Sequence, residues 1–75
     1  MNNKSIENIT KYSELFAKYQ NFLTQNQKQV FHLYFFEDLS YGEIANIMAT
    51  SRSAAFDTLK KAISKLEKID QQMTN

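Results

Sequence analysis

The sequence predicts an all-α fold, a small helical domain of about four helices that contains a helix-turn-helix. The chain has 75 residues, the size of one domain, so we assign residues 1–75 to a single helix-turn-helix domain. It contains no proline and only one glycine, the two residue types that least favour a helix interior. Between Leu39 and Leu66, two helix start signals are separated by a short turn, the order that a helix-turn-helix requires.

The first two helices are predicted from apolar spacing and from their start signals. Apolar residues recur at helical spacing from about Ser5 to Phe22, and Ser5 can act as the N-cap. The second helix is expected from about Gln25 to Phe36. It follows Thr24 in the sequence T-Q-N-Q, which matches a capping box.

The second helix carries more apolar surface than one helical stripe needs. Beyond its predicted core face, Phe31, Phe35 and Phe36 extend that surface around the helix. Such a helix is either wrapped by its own domain or contacts another chain, and a 75-residue protein offers little to wrap it. We therefore expect a homodimer, with Phe31 and Phe35 at the subunit contact.

The helix-turn-helix itself starts at Ser40, where S-Y-G-E matches a second capping box. The turn is expected at Ala49-Thr50, and Ser51 is a good N-cap for the fourth helix. An ordinary αα-hairpin in a small bundle is the alternative interpretation.

The fourth helix is predicted to extend to about Gln72 and to carry a heptad seam. Its apolar residues are spaced 4, 3, 4, 3 and 4 apart: Ala55, Leu59, Ala62, Leu66, Ile69 and Met73. This seam could pack against the first helix of the same chain or against the same helix of a second copy. Leu66 and Ile69 therefore join the predicted dimer interface.

Positive charge gathers on the fourth helix, although the net charge of the chain is only +1. Residues 51–68 hold five basic and two acidic residues, whereas residues 1–39 hold four of each. A basic face on the second helix of a helix-turn-helix is where a phosphate backbone would lie. A merely solvated helix face is the alternative.

The residues at the start of the fourth helix are the candidate contacts to nucleic acid. Arg52 can donate two hydrogen bonds to guanine or grip a phosphate, and Phe56 can touch a thymine methyl or stack on an unpaired base. Asp57 repels phosphate unless it accepts from cytosine or orients Arg52 or Lys61. The full candidate set is Ser51, Arg52, Ser53, Phe56, Asp57, Lys60 and Lys61.

The sequence offers little to an enzyme. His32 is the only histidine, there is no cysteine, and a single glycine cannot form a glycine-rich phosphate loop. We expect no catalytic residue, no metal, no cofactor and no small-molecule substrate. No apolar run is long enough to span a membrane, and the lack of cysteine fits a reducing cytoplasm.

The block of residues 23–68, which includes the segments Y-F-F-E-D-L-S and S-R-S-A-A-F-D, resembles the YlxM-type helix-turn-helix proteins of Gram-positive bacteria and mollicutes. The resemblance covers roughly Lys11 to Lys68, most of the chain. The block is more distantly similar to region 4 of extracytoplasmic-type sigma factors. The resemblance implies a sigma-region-4-like or winged-helix-like fold, a homodimer and a role in the signal recognition particle pathway, with its RNA as a candidate partner. Arg52 and the pair Lys60 and Lys61 match the basic positions of the family.

The chain departs from this family pattern at three places. Ala49 stands where many helix-turn-helices have glycine, and Thr50 stands where an apolar residue usually closes the turn. The chain also ends soon after Ile69, whereas family members commonly continue through a longer charged helix. The resemblance therefore implies a short form of the family.

Two functions follow as hypotheses. The first is a non-enzymatic protein that binds DNA or RNA through the fourth helix, as a regulator or an accessory component of the signal recognition particle pathway. The second is a homodimeric adaptor that docks protein partners through its aromatic and heptad surfaces.

Overall fold

The computed structural model describes residues 5–73 and confirms the all-α prediction. Its elements are α1 (Ile6–Tyr19), a 3₁₀ turn (Gln20–Phe22), α2 (Gln25–Phe35), α3 (Tyr41–Met48) and α4 (Arg52–Met73). Residues 5–73 include no β-strand, so this part of the chain has no wing of the kind that a winged helix carries.

Each helix follows a hydroxyl residue that the sequence marks as its N-cap. The side-chain oxygen accepts a hydrogen bond of 3.0–3.3 Å from a backbone N–H in the first turn: Ser5 from Asn8, Thr24 from Gln27, Ser40 from Glu43 and Ser51 from Ala54. The Gln27 and Glu43 side chains return hydrogen bonds of 3.0 and 2.9 Å to the cap N–H groups. Both predicted capping boxes are thereby confirmed.

The first helix ends earlier than its apolar spacing predicts. The α-helical part stops at Tyr19, and Gln20–Phe22 form the tighter 3₁₀ turn. Leu23 and Thr24 are already extended, with ψ of 151° and 164°. Since Thr24 must be extended to cap α2, the chain has to leave the helix within these few residues.

Helix α4 is the central element and contacts each of the other three helices. Its inward face is formed by Ala55, Leu59, Ala62 and Leu66, all at most 1% exposed. The two alanines leave room for neighbouring backbones, and the two leucines fill the space between the helices. The heptad seam of the sequence is thus used within the chain from Ala55 to Leu66, a length of about three helical turns.

The structure corrects the predicted exposure of the dimer residues. Phe31 and Leu66 are 0% exposed and Phe35 is 6% exposed, because α1 and α4 cover the apolar surface of α2. Phe31 stacks on Phe16 with ring centroids 4.6 Å apart and an interplanar angle of 5°. Of the four residues predicted at the dimer interface, only Ile69 remains partly exposed to solvent. The small domain does wrap this helix, contrary to the expectation.

Polar contacts fasten α1 to the C-terminal half of α4. The Tyr12 hydroxyl donates to Glu67 Oε2 over 3.1 Å, and Lys11 Nζ lies 3.3 Å from the same oxygen. Two helical turns further along α1 and about one turn further along α4, the Tyr19 hydroxyl donates to Asp70 Oδ1 over 3.3 Å. These contacts join α1 to the C-terminal half of α4, whereas α3 meets the first turns of α4, as at Tyr41 and Phe56.

The turn of the helix-turn-helix contains a left-handed residue. Ala49 has φ 54° and ψ 49°, a conformation that glycine adopts without the steric cost of a Cβ. This explains why glycine is common at the position. Ala49→Gly is therefore expected to raise the free energy of unfolding by about 1 kcal/mol, measured by urea denaturation.

The matched control for this prediction is Ala17→Gly. Ala17 lies on the exposed face of α1, in right-handed helix, so the same substitution there should lower stability by about 0.5–1 kcal/mol. Equal effects of the two glycines would show that the left-handed conformation of Ala49 carries no strain.

Candidate nucleic-acid interface

Helices α3 and α4 pack through a short connection that holds them at a fixed angle. The Thr50 N–H donates to the Ala45 carbonyl over 2.9 Å, which closes the end of α3. Below the turn, Ile44, Ala45 and Ala55 are each at most 5% exposed. Because buried residues, two of them alanines, form this contact, the start of α4 packs closely against α3.

All of the predicted contact residues lie on the outer surface of α4 or at its cap. Ser51, Arg52, Ser53, Phe56, Asp57, Lys60 and Lys61 are all exposed. Ser51 is committed to the helix start, where its hydroxyl oxygen accepts from the Ala54 N–H. The Arg52 side chain runs across the first turn of α3, and its Nε stands 3.8 Å from where a Cβ on Gly42 would be. Arg52 thus bridges both helices of the motif.

The basic residues near the start of α4 differ in whether an acidic side chain pairs with them. Lys61 Nζ lies 3.1 Å from Asp57 Oδ2, one helical turn earlier, so Asp57 orients Lys61, one of the roles considered for it. Both side chains are exposed, and such a pair contributes little stability. Within residues 5–73, no acidic group pairs with Lys60 or Arg52. Near the start of α4, Lys60 and Arg52 are therefore the cations whose charge no acidic side chain of residues 5–73 offsets.

The basic surface continues along α4 beyond the residues that are predicted from the sequence. A shallow groove of about 350 Å³ runs between α4 and the start of α2, lined by Gln27, Lys61, Ser64, Lys65 and Lys68. Lys61, Lys65 and Lys68 follow one another at i, i+4 and i+7, so they share one helix face. That spacing was the signal that could have added Lys65 and Lys68 to the candidate residues.

A second groove lies on the opposite side of the exposed face of α4, against α3. Its volume is about 330 Å³ and its lining is formed by Tyr41, Phe56, Leu59, Lys60, Ile63, Ser64 and Glu67. Phe56 is 47% exposed and meets the Tyr41 ring edge-on, with centroids 5.3 Å apart. The sequence predicts that Phe56 could be exposed. In the structure about half of its surface is exposed to solvent, and the rest packs against its neighbours.

Two tyrosines near this surface have shifted pKa values. Burial, together with a hydrogen bond to Tyr41, raises the pKa of Tyr34 to about 12. Burial and the hydrogen bond to Glu67 likewise raise the pKa of Tyr12. Both phenols therefore stay protonated at neutral pH and act as neutral parts of the scaffold, so the charge of the interface is set by the lysines, Arg52 and the carboxylates.

The described residues assemble no metal site. Nowhere in residues 5–73 do three histidine or acidic side chains come close enough together to hold an ion. Among the same residues, no helix combines the length and the apolar character needed to cross a bilayer.

Comparisons with known proteins agree with the helix-turn-helix geometry. Residues 6–74 match the family model described as "Putative helix-turn-helix protein, YlxM / p13 like". UPF0122 proteins of Bacillus cereus, Bacillus anthracis and Bacillus thuringiensis are each 38% identical to the chain over 68 residues, which is 91% of this chain and 62% of the relative. The chain thus spans less than two thirds of the length of these relatives. No solved structure matches it. On the family match and the shared sequence, this chain belongs to the YlxM/p13-like family of helix-turn-helix proteins.

Proposed function

We propose that this protein is a non-enzymatic nucleic-acid-binding protein whose contact surface is the exposed face of α4. The observation that carries the proposal is the pair of exposed cations, Arg52 and Lys60, on the capped second helix of a helix-turn-helix. Neither is neutralised by an acidic group of residues 5–73. A phosphate backbone is the partner whose charge complements this arrangement.

The residues of α4 divide into two kinds of contact. Lys60, Lys61, Lys65 and Lys68 are exposed point charges suited to phosphate oxygens, which fix position without reading sequence. Arg52 in the first turn is a further cation for a phosphate, and together with Ser53 it is also placed to reach base edges, where a planar guanidinium can donate two hydrogen bonds to guanine. The positive end of the α4 dipole adds to the attraction of a phosphate at the same place.

Family membership supports a more specific role. We propose that the protein is a cytoplasmic regulator or accessory component of the signal recognition particle pathway, with the RNA of that particle or a DNA site as its partner. The family resemblance also favours a homodimer. Since the chain's own core buries Phe31, Phe35 and Leu66, a dimer would have to use other surface, of which Ile69 is a part. A monomer mass by light scattering at tens of micromolar would refute the dimer.

The proposal predicts binding that weakens steeply with salt, because each phosphate contact releases counterions. With four to six contacts, the logarithm of the association constant should fall with the logarithm of salt concentration with a slope of roughly −3 to −5. Fluorescence anisotropy can measure this slope for signal recognition particle RNA, an unrelated RNA of equal length and a DNA duplex. Absence of binding to all three at low salt, or binding that ignores salt, would contradict the proposal.

The same binding measurement distinguishes the nucleic-acid proposal from the adaptor hypothesis. The observation that supports the adaptor is the groove between α3 and α4, where the half-exposed Phe56 and the Tyr41 ring offer aromatic surface to a partner. A protein that binds no nucleic acid but captures a defined protein partner, and loses it on Phe56→Ser, would favour the adaptor.

A further inference from the structure

We propose that the groove between α3 and α4 holds one unpaired nucleobase of the bound nucleic acid, stacked on Phe56. This inference rests on the proposed function, since it concerns the same partner. It narrows the partner to a nucleic acid with a bulge, a loop or a single-stranded residue, as opposed to an unbroken duplex.

The aromatic wall of the groove is built to present one open ring. Tyr41 stacks nearly parallel on buried Tyr34, with centroids 5.0 Å apart and an interplanar angle of 18°. Phe56 then stands edge-on to Tyr41 at 80°, which holds the phenyl ring in one orientation. The exposed 47% of Phe56 is the open aromatic surface of the groove, beside the ring of Tyr41 that packs against it. Unpaired bases are commonly recognised by stacking on such rings.

The floor and the far end of the groove fit the body and the edge of a base. Leu59 and Ile63 form an apolar floor, and Ser64 and Glu67 supply a hydroxyl and a carboxylate. Glu67 Oε2 already accepts from Lys11 and Tyr12, while Oε1 accepts from no group of residues 5–73. A free carboxylate oxygen accepts well from an exocyclic amino group, as on cytosine or adenine. We therefore expect cytosine to be preferred over uracil or thymine.

The positive charge around the groove suits the phosphate backbone on either side of this base. Lys60 lines the groove itself, and Arg52 lies towards its α3 side, both without an acidic partner among residues 5–73. A phosphate on either flank of the base meets one of these cations, whereas an apolar peptide would leave them uncompensated. A duplex keeps its bases stacked on each other, so only an unpaired base can lie flat against Phe56.

The test compares hairpins that differ in one nucleotide. An RNA hairpin and its DNA counterpart are each prepared fully paired and with a single bulged cytosine, and affinity is measured by fluorescence anisotropy. The native protein should bind the bulged form about tenfold more tightly, the usual worth of one base–aromatic stack. A bulged uracil or thymine should bind several-fold more weakly than the bulged cytosine.

Variants of Phe56 distinguish stacking from mere apolar contact. Phe56→Tyr should keep the preference for the bulge, whereas Phe56→Leu and Phe56→Ala should lose it. Phe22→Ala is the matched control, because Phe22 is similarly exposed, at 52%, and lies outside the groove. Circular dichroism at the assay temperature confirms that each variant is folded.

Each remaining outcome decides against the inference in a recognisable way. If the native protein binds both hairpin forms equally, or if Phe56→Leu retains the bulge preference, no base stacks in the groove, although nucleic-acid binding stands. If Phe56→Ala weakens both forms equally, Phe56 serves only to pack α4 against α3. If neither form binds at low salt, the proposed function fails together with the inference.

Discussion

Replacing Phe31 with alanine is expected to remove a large part of the stability of this domain. The ring is 0% exposed and lies between Phe16 and Phe35, with centroid distances of 4.6 Å to each. Deleting a buried phenylalanine costs about 3–5 kcal/mol, from lost burial and the cavity left behind. A domain of 75 residues has about 4–11 kcal/mol in total. Urea denaturation followed by far-ultraviolet circular dichroism measures the loss.

Phe22→Ala provides the comparison, because Phe22 is 52% exposed and should change stability by only about 0.5–1 kcal/mol. The loss in Phe31→Ala should not depend on protein concentration, since the ring packs within one chain. A loss that shrinks as concentration rises would place Phe31 at a subunit interface and overturn the burial seen here.

Removing the charges of Arg52 and Lys60 together is expected to have the largest effect on binding. In the double variant Arg52→Gln, Lys60→Gln, two phosphate-type contacts are lost, so the salt slope should become less steep by roughly 2. Affinity at low salt should fall roughly 10–100-fold, given the strength of hydrogen bonds to charged groups. Neither residue is buried, so thermal stability should be unchanged.

The double variant Lys11→Gln, Lys18→Gln controls for the loss of net charge. Both lysines are exposed on α1, and the contact of Lys11 with Glu67 is a surface ion pair of little worth. If binding is mere attraction to a positive protein, both doubles will weaken it alike. A dependence confined to Arg52 and Lys60 locates the contact on α4.

The helix starts were predictable because capping is local. Ser40 and Glu43 are three residues apart, and their reciprocal hydrogen bonds depend on little beyond that spacing. The left-handed turn at Ala49 shows the reverse. Alanine carries no local preference for that conformation, so only packing of α3 on α4 imposes it, and the residue type conceals it.

The dimer residues were misjudged because periodicity does not say which chain covers an apolar stripe. Phe31 and Leu66 satisfy the pattern equally well against a second copy or against the other helices of the same chain. The structure covers them with elements that lie up to about fifty residues away in sequence, which no local pattern records. The proposed contact surface instead includes residues that look unremarkable in sequence, such as Lys65 and Lys68.

The aromatic groove was hidden from sequence for the same reason. Phe56 was identifiable as lying off the heptad seam, but Tyr41 belongs to another helix and Glu67 lies three turns further along α4. Only the crossing of α3 over α4 brings these side chains around one space.

The contact between Tyr12 and Glu67 joins residues 55 positions apart, and this has a consequence for synthesis of the protein. A ribosome adding 5–20 residues per second needs about 3–11 s to make the chain that separates them. Throughout that interval the nascent α1 lacks its partner on α4, and Phe16 has only the rings of α2 to shelter it. The order of translation therefore makes α4, on which all three other helices pack, the last element to become available for the native core.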